Sequence, residues 1–562
     1  MSRSLRRVLT FASGLATVIA AGPGLASVQA TTDTKGLNAI NHIVVIYEEN
    51  HSFDNLYGSW PGVNGRANAT AANTLQVKQN GTTAYACLLQ NDVNLASPPQ
   101  QADCTGEAYS SHFPNQPFNI GASIPSDART CPPPGTPFSA NGYPPNPSYL
   151  QGGCTRDIVH RFYQEQYQLN NGQQNRYTTG SDAAGLTQGY YESRALPIFA
   201  YLHGDGAPHY AIADDFFQSA FGGSFLNHQW LIAAATPTWP GIPSDQHSIV
   251  DDNGFPNASY PLYTPTRGVL DRAGTQACGL DTTDTNVACG DFAVNTIQPA
   301  YQPFRGSPQL PAQTGATIGD RLSSAGVSWA WYAGGWSNAD GDAGAPGWTN
   351  GTIFGVCSDP DSSLNGTSGT KWYCPNKVFQ FHHQPFNYYS NYAPGTAGRT
   401  HLQDEQSFMS LANASAKTCQ LNSVSFIKPI GLENEHPGYT SENRGSDHLV
   451  QLLSMINNSA CRKDTMVVVT YDEFGGQWDH VAPPGQGTTT GPHDIWGPGT
   501  RIPTLILSPR LRGDFVVDHT QYDTTSIMAT IEHRYGLAAV SSRDAAVNDF
   551  SNVFSAKSPF AT

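Results

Sequence analysis

The chain has 562 residues, and its 44 acidic side chains outnumber its 29 lysines and arginines, which gives a formal charge of −15 at pH 7. This balance argues against nucleic acid and anionic membrane surfaces as partners, because both are bound through basic patches that displace counterions. Only 13% of the residues are charged, whereas glycine and proline are abundant, a composition typical of a loop-rich exported protein.

The first thirty residues have the layout of a secretory signal peptide. Three arginines within positions 3–7 precede an apolar stretch at 8–21, and small residues at 26–30 resemble a cleavage site. We therefore expect a mature chain that begins near Thr31 and is secreted or periplasmic. No later segment offers about 18 uninterrupted apolar residues, so stable membrane insertion is not expected.

Two β-branched apolar runs end in oxygen ligands. They are HIVVIYE at 42–48 and MVVVTY at 466–471, and each predicts a buried strand. The side chains that follow them are Glu49, Asn50, Asp472 and Glu473. Ligands collect at the carboxyl ends of the strands of a parallel sheet, so these side chains are expected to meet there.

Adjacent buried carboxylates repel one another and lose hydration, a cost that a bound cation offsets. The two runs together therefore predict a divalent metal site. Carboxylate and amide oxygens suit Ca²⁺, Mg²⁺ or Mn²⁺, and zinc also stays open.

The rest of the chain alternates between strands and helices. In chain order, the predicted elements are an irregular cysteine-containing insertion at 59–150, a helix at 157–170, two helices at 207–236 joined at Gly222-Gly223, a second irregular insertion at 237–310, a helix and a strand at 316–333, a strand at 423–430, a helix at 446–459, a strand at 502–510 and a helix at 529–537. This alternation predicts an α/β fold with a mainly parallel central sheet and helices on both faces. Since the two acid-bearing runs must converge, we expect one catalytic domain at 31–562.

All ten cysteines follow the signal segment, and no CxxC motif is present. An even number of cysteines in an exported chain favours disulfides over zinc-binding or catalytic thiolates. We expect each cysteine to pair with its neighbour along the chain, which gives 87–104, 131–154, 278–289, 357–374 and 419–461.

Ser224 is the candidate nucleophile. It follows two glycines and precedes the apolar segment FLNHQWLIAAA, so it lies at the N-cap or first turn of a predicted helix. The free amides and positive dipole there favour an anion, and a nearby cation makes a serine hydroxyl easier to deprotonate. Serine is also a common N-cap residue, so a purely structural role stays open. The sequence GGSFL lacks the GxSxG elbow of many serine hydrolases.

Several of the seventeen histidines have neighbours that indicate phosphoryl contact or proton transfer. His160 lies on the helix predicted at 157–170, where it shares a face with Tyr163 and Tyr167. The other candidates are His382, His383, His436 and His480. Three more histidines, at positions 42, 228 and 448, are interpreted as structural.

Two segments of the chain resemble the signatures of a bacterial phosphoesterase family that comprises secreted acid phosphatases and non-haemolytic phospholipases C. They are ENHSFDNLYG at 49–58 and YDEFGGQWDHVAPP at 471–484, with HHQPFNYY and ENEHPGY between them in the family's order. The resemblance runs across nearly the whole mature chain. It implies an alkaline-phosphatase-like three-layer sandwich, with a central mixed, mostly parallel sheet, disulfide-tied loop insertions and a metal at the strand ends.

The resemblance also implies roles for individual residues. By analogy with the family, the metal would be held by Glu49, Asn50, Ser224, Asp472 and Glu473. The phosphoryl group would be contacted by His160, His383 and His436, which with Ser224 are the expected catalytic residues. Asn50, His382 and His480 are the residues expected to bind substrate. His51 stands where the family more often has arginine.

The segment GGSFLNHQ is similar to the acid-phosphatase branch, whereas the phospholipases resemble one another in using a threonine nucleophile. Those phospholipases also carry additional C-terminal β-domains, which we do not expect after the helix at 529–537. We therefore expect a secreted, metal-dependent acid phosphatase that hydrolyses small phosphomonoesters through a phosphoserine. Protonated histidines would match the monoester dianion and give an acidic optimum.

Two alternatives stay open. The same residues would serve a phospholipase C that cleaves phospholipid diesters. A secreted binding protein on the same fold, without catalysis, is an alternative of another class.

Overall fold

In the computed structural model, the described residues are 34–78, 80–89, 112–122, 124–127, 158–181, 186–238, 248–251, 287–290, 310–357, 366–368, 371–376 and 378–559. The predicted signal peptide lies outside them, as do parts of both predicted insertions. Residues Asp33–Thr562 form one compact unit. Within the described ranges, no helix is long and apolar enough to cross a membrane.

An eight-stranded sheet forms the centre of the protein. Its strands in chain order are β1 (His42–Glu48), β2 (Tyr210–Ala213), β3 (Trp329–Ala333), β4 (Leu402–Asp404), β5 (Val424–Lys428), β6 (Thr465–Tyr471), β7 (Thr504–Leu507) and β8 (Phe515–Asp518). They lie side by side in the order β4-β3-β5-β1-β6-β7-β2-β8. All neighbouring strands are parallel except that β7 runs antiparallel to both β6 and β2. The predicted mixed, mostly parallel sheet is therefore confirmed.

The two acid-bearing runs are neighbours in this sheet. Ile43 of β1 pairs with Met466 of β6, and the register continues to Glu48 opposite Tyr471. Every residue of β6 is buried, as in a parallel sheet that is covered on both faces. Both strands therefore end at the same level, and the residues that follow them leave the sheet together.

Among the residues that the structure describes, seven helices flank the sheet. They are α1 (Phe162–Leu169), α2 (Pro197–Leu202), α3 (Ser224–Ala233), α4 (Ile318–Ser324), α5 (Glu405–Ala414), α6 (Glu442–Asn457) and α7 (Thr525–Tyr535). Helix α6 contacts α2 and α5, whereas α3 contacts α4 and α7. Both α4 and α5 contact β3, whose five residues are all buried, so the sheet lies between two helical layers. This arrangement confirms the predicted α/β three-layer sandwich.

Shorter elements also occur among the described residues. Short helices in the described ranges also include Thr34–Asn38, Phe53–Leu56, Ala71–Thr74 and Trp336–Asp340. Two-stranded pairs join Leu88–Leu89 with His112–Phe113, Phe118–Asn119 with Gly189–Tyr190, Phe216–Phe217 with Tyr522–Asp523, Ser248–Asp251 with Val287–Gly290, and Gly366–Ser368 with Lys371–Tyr373.

One predicted element is wrong, and one predicted helix begins later than expected. The first of the two helices expected at 207–236 is strand β2, whose four residues are buried and pair with β7 and β8. A short apolar run fits either a buried helix or a buried strand, and only its neighbours in the sheet decide between them. The helix expected at 157–170 begins at Phe162, with Arg161 as its N-cap, so His160 precedes the helix and shares no helical face with Tyr167.

Two of the predicted disulfides, Cys357–Cys374 and Cys419–Cys461, are present. Each of the other three predicted pairs includes a cysteine outside the described residues. Cys419 precedes β5 and Cys461 precedes β6, so this disulfide lies at the amino ends of the strands.

We expect replacement of both Cys419 and Cys461 by alanine to lower stability without slowing catalysis. The two cysteines are 42 residues apart, and loop-closure entropy for that length corresponds to about 4 kcal/mol. Denaturant titration of the wild type and the double variant measures the loss, and kcat measured well below the melting temperature serves as the control. A large fall in kcat with unchanged stability would contradict this expectation.

Candidate metal centre and nucleophile

The candidate site begins where β1 and β6 end. The backbone N–H of Asp472 donates to the carbonyl oxygen of Glu48 at 3.1 Å, which carries the strand pairing one step further. The four side chains that follow the strands are all buried: Glu49, Asn50, Asp472 and Glu473. The structure thus brings together the residues of two segments more than four hundred positions apart.

Asn50 is the central polar contact of the site. Its φ of +64° lies in the left-handed region, which asparagine tolerates better than most residues. Its Oδ1 accepts a hydrogen bond from Ser224 Oγ at 3.4 Å. Its Nδ2 donates to His436 Nε2 at 3.1 Å and to His160 Nε2 at 3.4 Å. One amide therefore connects the candidate nucleophile with two of the predicted histidines.

Ser224 is the first residue of α3, and Gly223 is its N-cap. Its hydroxyl lies 3.3 Å from Glu473 Oε1, so the predicted position at a helix start beside the carboxylates is observed. The preceding Gly222 has φ +90°, and a Cβ there would lie 2.5 Å from the backbone nitrogen of Phe162. Only glycine fits this turn, which holds the serine against the strand ends.

His160 and His436 present unprotonated nitrogens to the site. Each Nδ1 lies 2.6 Å from a backbone carbonyl oxygen, that of Ile158 or of Pro437, and therefore carries the hydrogen. Each Nε2 then offers a lone pair to Asn50. Burial lowers the pKa of His160 to about 4 and that of His436 to about 3. This environment opposes the protonated imidazoles that the sequence argument invoked for a dianionic substrate.

Glu49 is held by cations and imidazoles. Lys428 Nζ lies 2.8 Å from its Oε1, His436 Nε2 lies 3.4 Å from its Oε2, and His383 Nε2 also pairs with Oε1. Burial raises the pKa of Glu49, but the charges of His383 and Lys428 outweigh burial and leave it well below its usual value. Glu49 is therefore an anion in the free protein. Lys428 was not predicted from the sequence, although a lone lysine at the end of an apolar strand was a usable signal.

His228 is a second residue that sequence reasoning missed, since it was interpreted as structural. Its Nδ1 donates to the carbonyl oxygen of Ser224 at 2.8 Å and lies 3.6 Å from Asp472 Oδ2. Its ring stacks on that of His383 with centroids 5.5 Å apart. The signal was its position four residues after Ser224 on the same helix, which places both on one face.

The donor atoms around this centre fit a divalent cation. Two sets of three residues have ligand atoms within 4.8 Å of one another, namely Glu49 with His382 and His383, and Glu49 with His228 and Asp472. Within the described part of the chain, no hydrogen-bond partner exists for His228 Nε2, Asp472 Oδ2 or either ring nitrogen of His382. Buried polar atoms normally have partners, so these orphaned atoms fit a site that holds a divalent cation. A mixture of imidazole and carboxylate suits zinc or manganese better than calcium.

His480 lies in a different cluster from the one predicted. Its Nδ1 is 2.6 Å from Asp54 Oδ2, and its Nε2 is 3.2 Å from Asn64 Oδ1. The fully buried Arg501 contacts the same Asp54 and also binds Asp479 through its Nε at 3.2 Å. The guanidinium occupies the place where a cation would sit among these acids. His480 therefore links the 49–58 segment to the 471–484 segment through its hydrogen bond to Asp54. No contact of His480 with the described residues supports a role in substrate binding.

A model of the Phosphoesterase family matches residues 40–538, which is most of the chain. The chain belongs to this family. The match includes the strand ends, the serine turn and the histidines of the site, so the resemblance inferred from the two signature segments is confirmed.

Two named proteins and one solved structure are similar to this phosphoesterase. Phospholipase C A from Mycobacterium tuberculosis is 23% identical over 549 residues, covering 93% of this chain and 78% of the relative. Phospholipase C B from the same organism is 34% identical over 167 residues, which is 26% of this chain and 32% of that protein, so the match spans about a third of its length. Among solved structures, the lipoteichoic acid synthase LtaP from Listeria monocytogenes matches with a TM-score of 0.28 at 10% identity, covering 64% of this chain and 70% of that one.

Glu165 on α1 connects the serine turn of the phosphoesterase to the metal side. This buried carboxylate accepts hydrogen bonds from Gly222 N at 2.6 Å and from Gln218 Nε2 at 2.9 Å. It also accepts one from Thr500 N at 2.6 Å, while Gln218 Oε1 accepts one from Phe474 N at 2.9 Å. The turn before Ser224 and the turn after Glu473 are therefore fixed to one another through Glu165 and Gln218.

We expect Glu165→Gln to lower kcat by about 10–100-fold, the usual range for residues that orient a ligating or reacting group. The amide replaces an acceptor oxygen by a donor that faces the N–H groups of Gly222 and Thr500, so the serine turn must shift. The measurement is kcat and KM for the variant beside Gln166→Ala on the same helix. An unchanged kcat in Glu165→Gln would show that this network does not position the nucleophile.

Proposed function

We propose that this phosphoesterase is an exported, metal-dependent acid phosphatase that hydrolyses phosphate monoesters through a phosphoserine at Ser224. The observation that carries the proposal is the Ser224 hydroxyl at a helix start, within 3.4 Å of both Asn50 and Glu473. It lies among buried donors that suit a divalent cation. The two described disulfides support export, because such bonds persist in oxidising compartments.

In this mechanism, each residue of the site has a specific role in phosphoester hydrolysis. Ser224 Oγ attacks phosphorus in line, forming the new P–O bond as the ester P–O bond breaks. Glu473 Oε1 accepts the hydroxyl proton and lies 3.2 Å from His160 Nε2, which gives that proton a route to the leaving alkoxide. Asn50 orients the phosphoryl oxygens, and water then hydrolyses the phosphoserine. A divalent cation held by the strand-end carboxylates would supply the positive charge that activates the hydroxyl.

The charges of the site favour a monoanionic substrate. Three buried carboxylates, Glu49, Asp472 and Glu473, face one divalent cation and Lys428, which leaves no positive excess for a dianion. A phosphate monoester becomes a monoanion below its second pKa of about 6. An acidic optimum then follows from the protonation of the substrate, without charged histidines.

Phospholipid diesters are a second candidate substrate class. A diester is a monoanion at any ordinary pH and meets the same charge requirement. The names of two relatives favour diester substrates. The relative that matches most of this chain is called phospholipase C A, and the one that matches part of it is called phospholipase C B.

The deciding experiment measures kcat/KM for an aryl phosphate and for phosphatidylcholine from about pH 5 to about pH 8 with saturating metal. We expect the aryl phosphate to be the better substrate, with a rate that falls as pH rises above about 6. A preference for phosphatidylcholine with little pH dependence would assign the protein to the phospholipases C. Hydrolysis of neither substrate by the metal-loaded protein would favour the non-catalytic binding protein.

A further inference from the structure

A cavity of about 380 Å³ opens at the end of the sheet that lies opposite the metal centre, where the parallel strands begin. It lies where β6 begins at Thr465 and β7 ends at Leu507, beside the last turns of α6. The seven residues of β6 separate the cavity from Asp472 by about 20 Å. A volume above about 300 Å³ is typical of small-molecule sites, and this one is separate from the catalytic residues.

The floor of this cavity is apolar. It is formed by Leu453 and Ile456 of α6 together with Val467 of β6 and Leu507 of β7. These side chains otherwise belong to the buried core. Contact between water and such an apolar floor is unfavourable. Binding of an apolar group that fills the cavity is therefore favoured by the hydrophobic effect.

The rim of the cavity is basic. Arg462 and Lys463 are exposed there, and neither forms an ion pair with a described residue. His209 also lines the rim, and its Nδ1 has no hydrogen-bond partner in the described ranges, whereas its Nε2 pairs with Asp514 at 3.0 Å. Among the described residues that line the cavity, none is acidic. In a chain with a formal charge of −15, this local excess of positive charge is the reverse of the overall balance.

We propose that this cavity binds a single-chain anionic amphiphile, such as a fatty acid, with its alkyl chain on the apolar floor and its anionic head between Arg462 and Lys463. A small inorganic anion would leave the floor uncovered, and a neutral alcohol would leave the two bases unpaired. A cationic amphiphile would be repelled by them. An alkyl carboxylate and an alkyl sulfate or phosphate share the required chemistry.

The test is calorimetric titration of the full chain with decanoate, decyl sulfate, decanol and decyltrimethylammonium, each below its micellar concentration. Decanoate and decyl sulfate are expected to bind with a stoichiometry of one, and the tighter of the two identifies the preferred head group. Decanol and the ammonium compound are expected to bind much more weakly. Equal binding of decanol and decanoate would overturn the proposal, because the basic rim would then have no role.

Substitutions at the cavity test whether decanoate binds there. The double variant Arg462→Ser with Lys463→Ser should weaken decanoate binding by about fivefold or more, since two exposed charge contacts are lost. Arg194→Ser with Lys417→Ser removes the same charge from other exposed positions and should leave binding unchanged. Ala207→Trp on the cavity rim should block the chain without altering either base. Undiminished binding in the first variant, or in the Ala207→Trp protein, would overturn the proposal whether or not the enzyme hydrolyses phosphoesters.

Discussion

Ser224→Ala is expected to lower kcat by at least about 10³-fold while the protein stays folded. The change removes the only hydroxyl that lies within hydrogen-bond distance of both Asn50 and Glu473 among the described residues. It barely alters packing, because Gly223 and not the serine is the N-cap of α3.

The intermediate itself is the sharper measurement. Rapid acid quenching of the wild type during turnover should trap phosphate on the peptide that contains Ser224, and the same peptide of Ser224→Ala should carry none. Ser410→Ala, on the surface of α5, provides the matched control. A Ser224→Ala protein that retains a substantial fraction of the wild-type kcat, with its metal bound, would exclude the covalent route.

The strand ends of the site were predictable because their sequence pattern is determined by burial. A strand covered on both faces has an uninterrupted β-branched run, so β1 and β6 were recognisable, and the ligands directly follow such runs. Ser224 was predictable for a related reason, since paired glycines before an apolar segment mark a helix start. These signals are local, and each is complete within about ten residues.

The remaining site residues depend on contacts that local sequence does not encode. His228 and Lys428 acquire their roles only because α3 and the end of β5 pack beside Glu49 and Asp472. His480 was misplaced for the same reason, since its partner Asp54 lies on a segment more than four hundred residues away in the chain. Strand β2 was missed because its four residues are too few to show a period, and its partners β7 and β8 lie about three hundred residues further along the chain.

Replacing a metal ligand is expected to remove metal and activity together. Asp472→Asn keeps the shape of the side chain but removes one of the charges that offset the cation, so metal content and kcat should each fall by at least about 100-fold. Asp447→Asn, on the exposed side of α6, removes the same charge far from the centre and serves as the control. Elemental analysis is required alongside kcat, because a slowly exchanging metal survives brief chelator treatment. Full activity in protein shown to be free of metal would contradict the metal-dependent mechanism.

The pKa values of the same carboxylates determine how strongly a bound metal stabilises the fold at each pH. In the absence of a cation, burial raises the pKa of Asp472 to about 8 and that of Glu473 well above its usual value. The unfolded chain releases these protons near pH 4, whereas the folded metal-free chain keeps them, so its stability falls as pH rises from about 4 to about 8. A cation replaces those protons and removes the penalty, and its affinity must rise with pH over the same window.

We therefore expect the difference in melting temperature between metal-loaded and metal-free protein to widen from about pH 5 to about pH 8. Asp472→Asn should show a smaller dependence, since one titrating group is gone. A difference that stays constant or narrows with rising pH would mean that these carboxylates are not the metal ligands. For the proposed acid phosphatase, weaker metal binding in acid opposes the gain from a protonated substrate. The acidic optimum should consequently broaden on its acid side and move to lower pH as the metal concentration is raised to saturation.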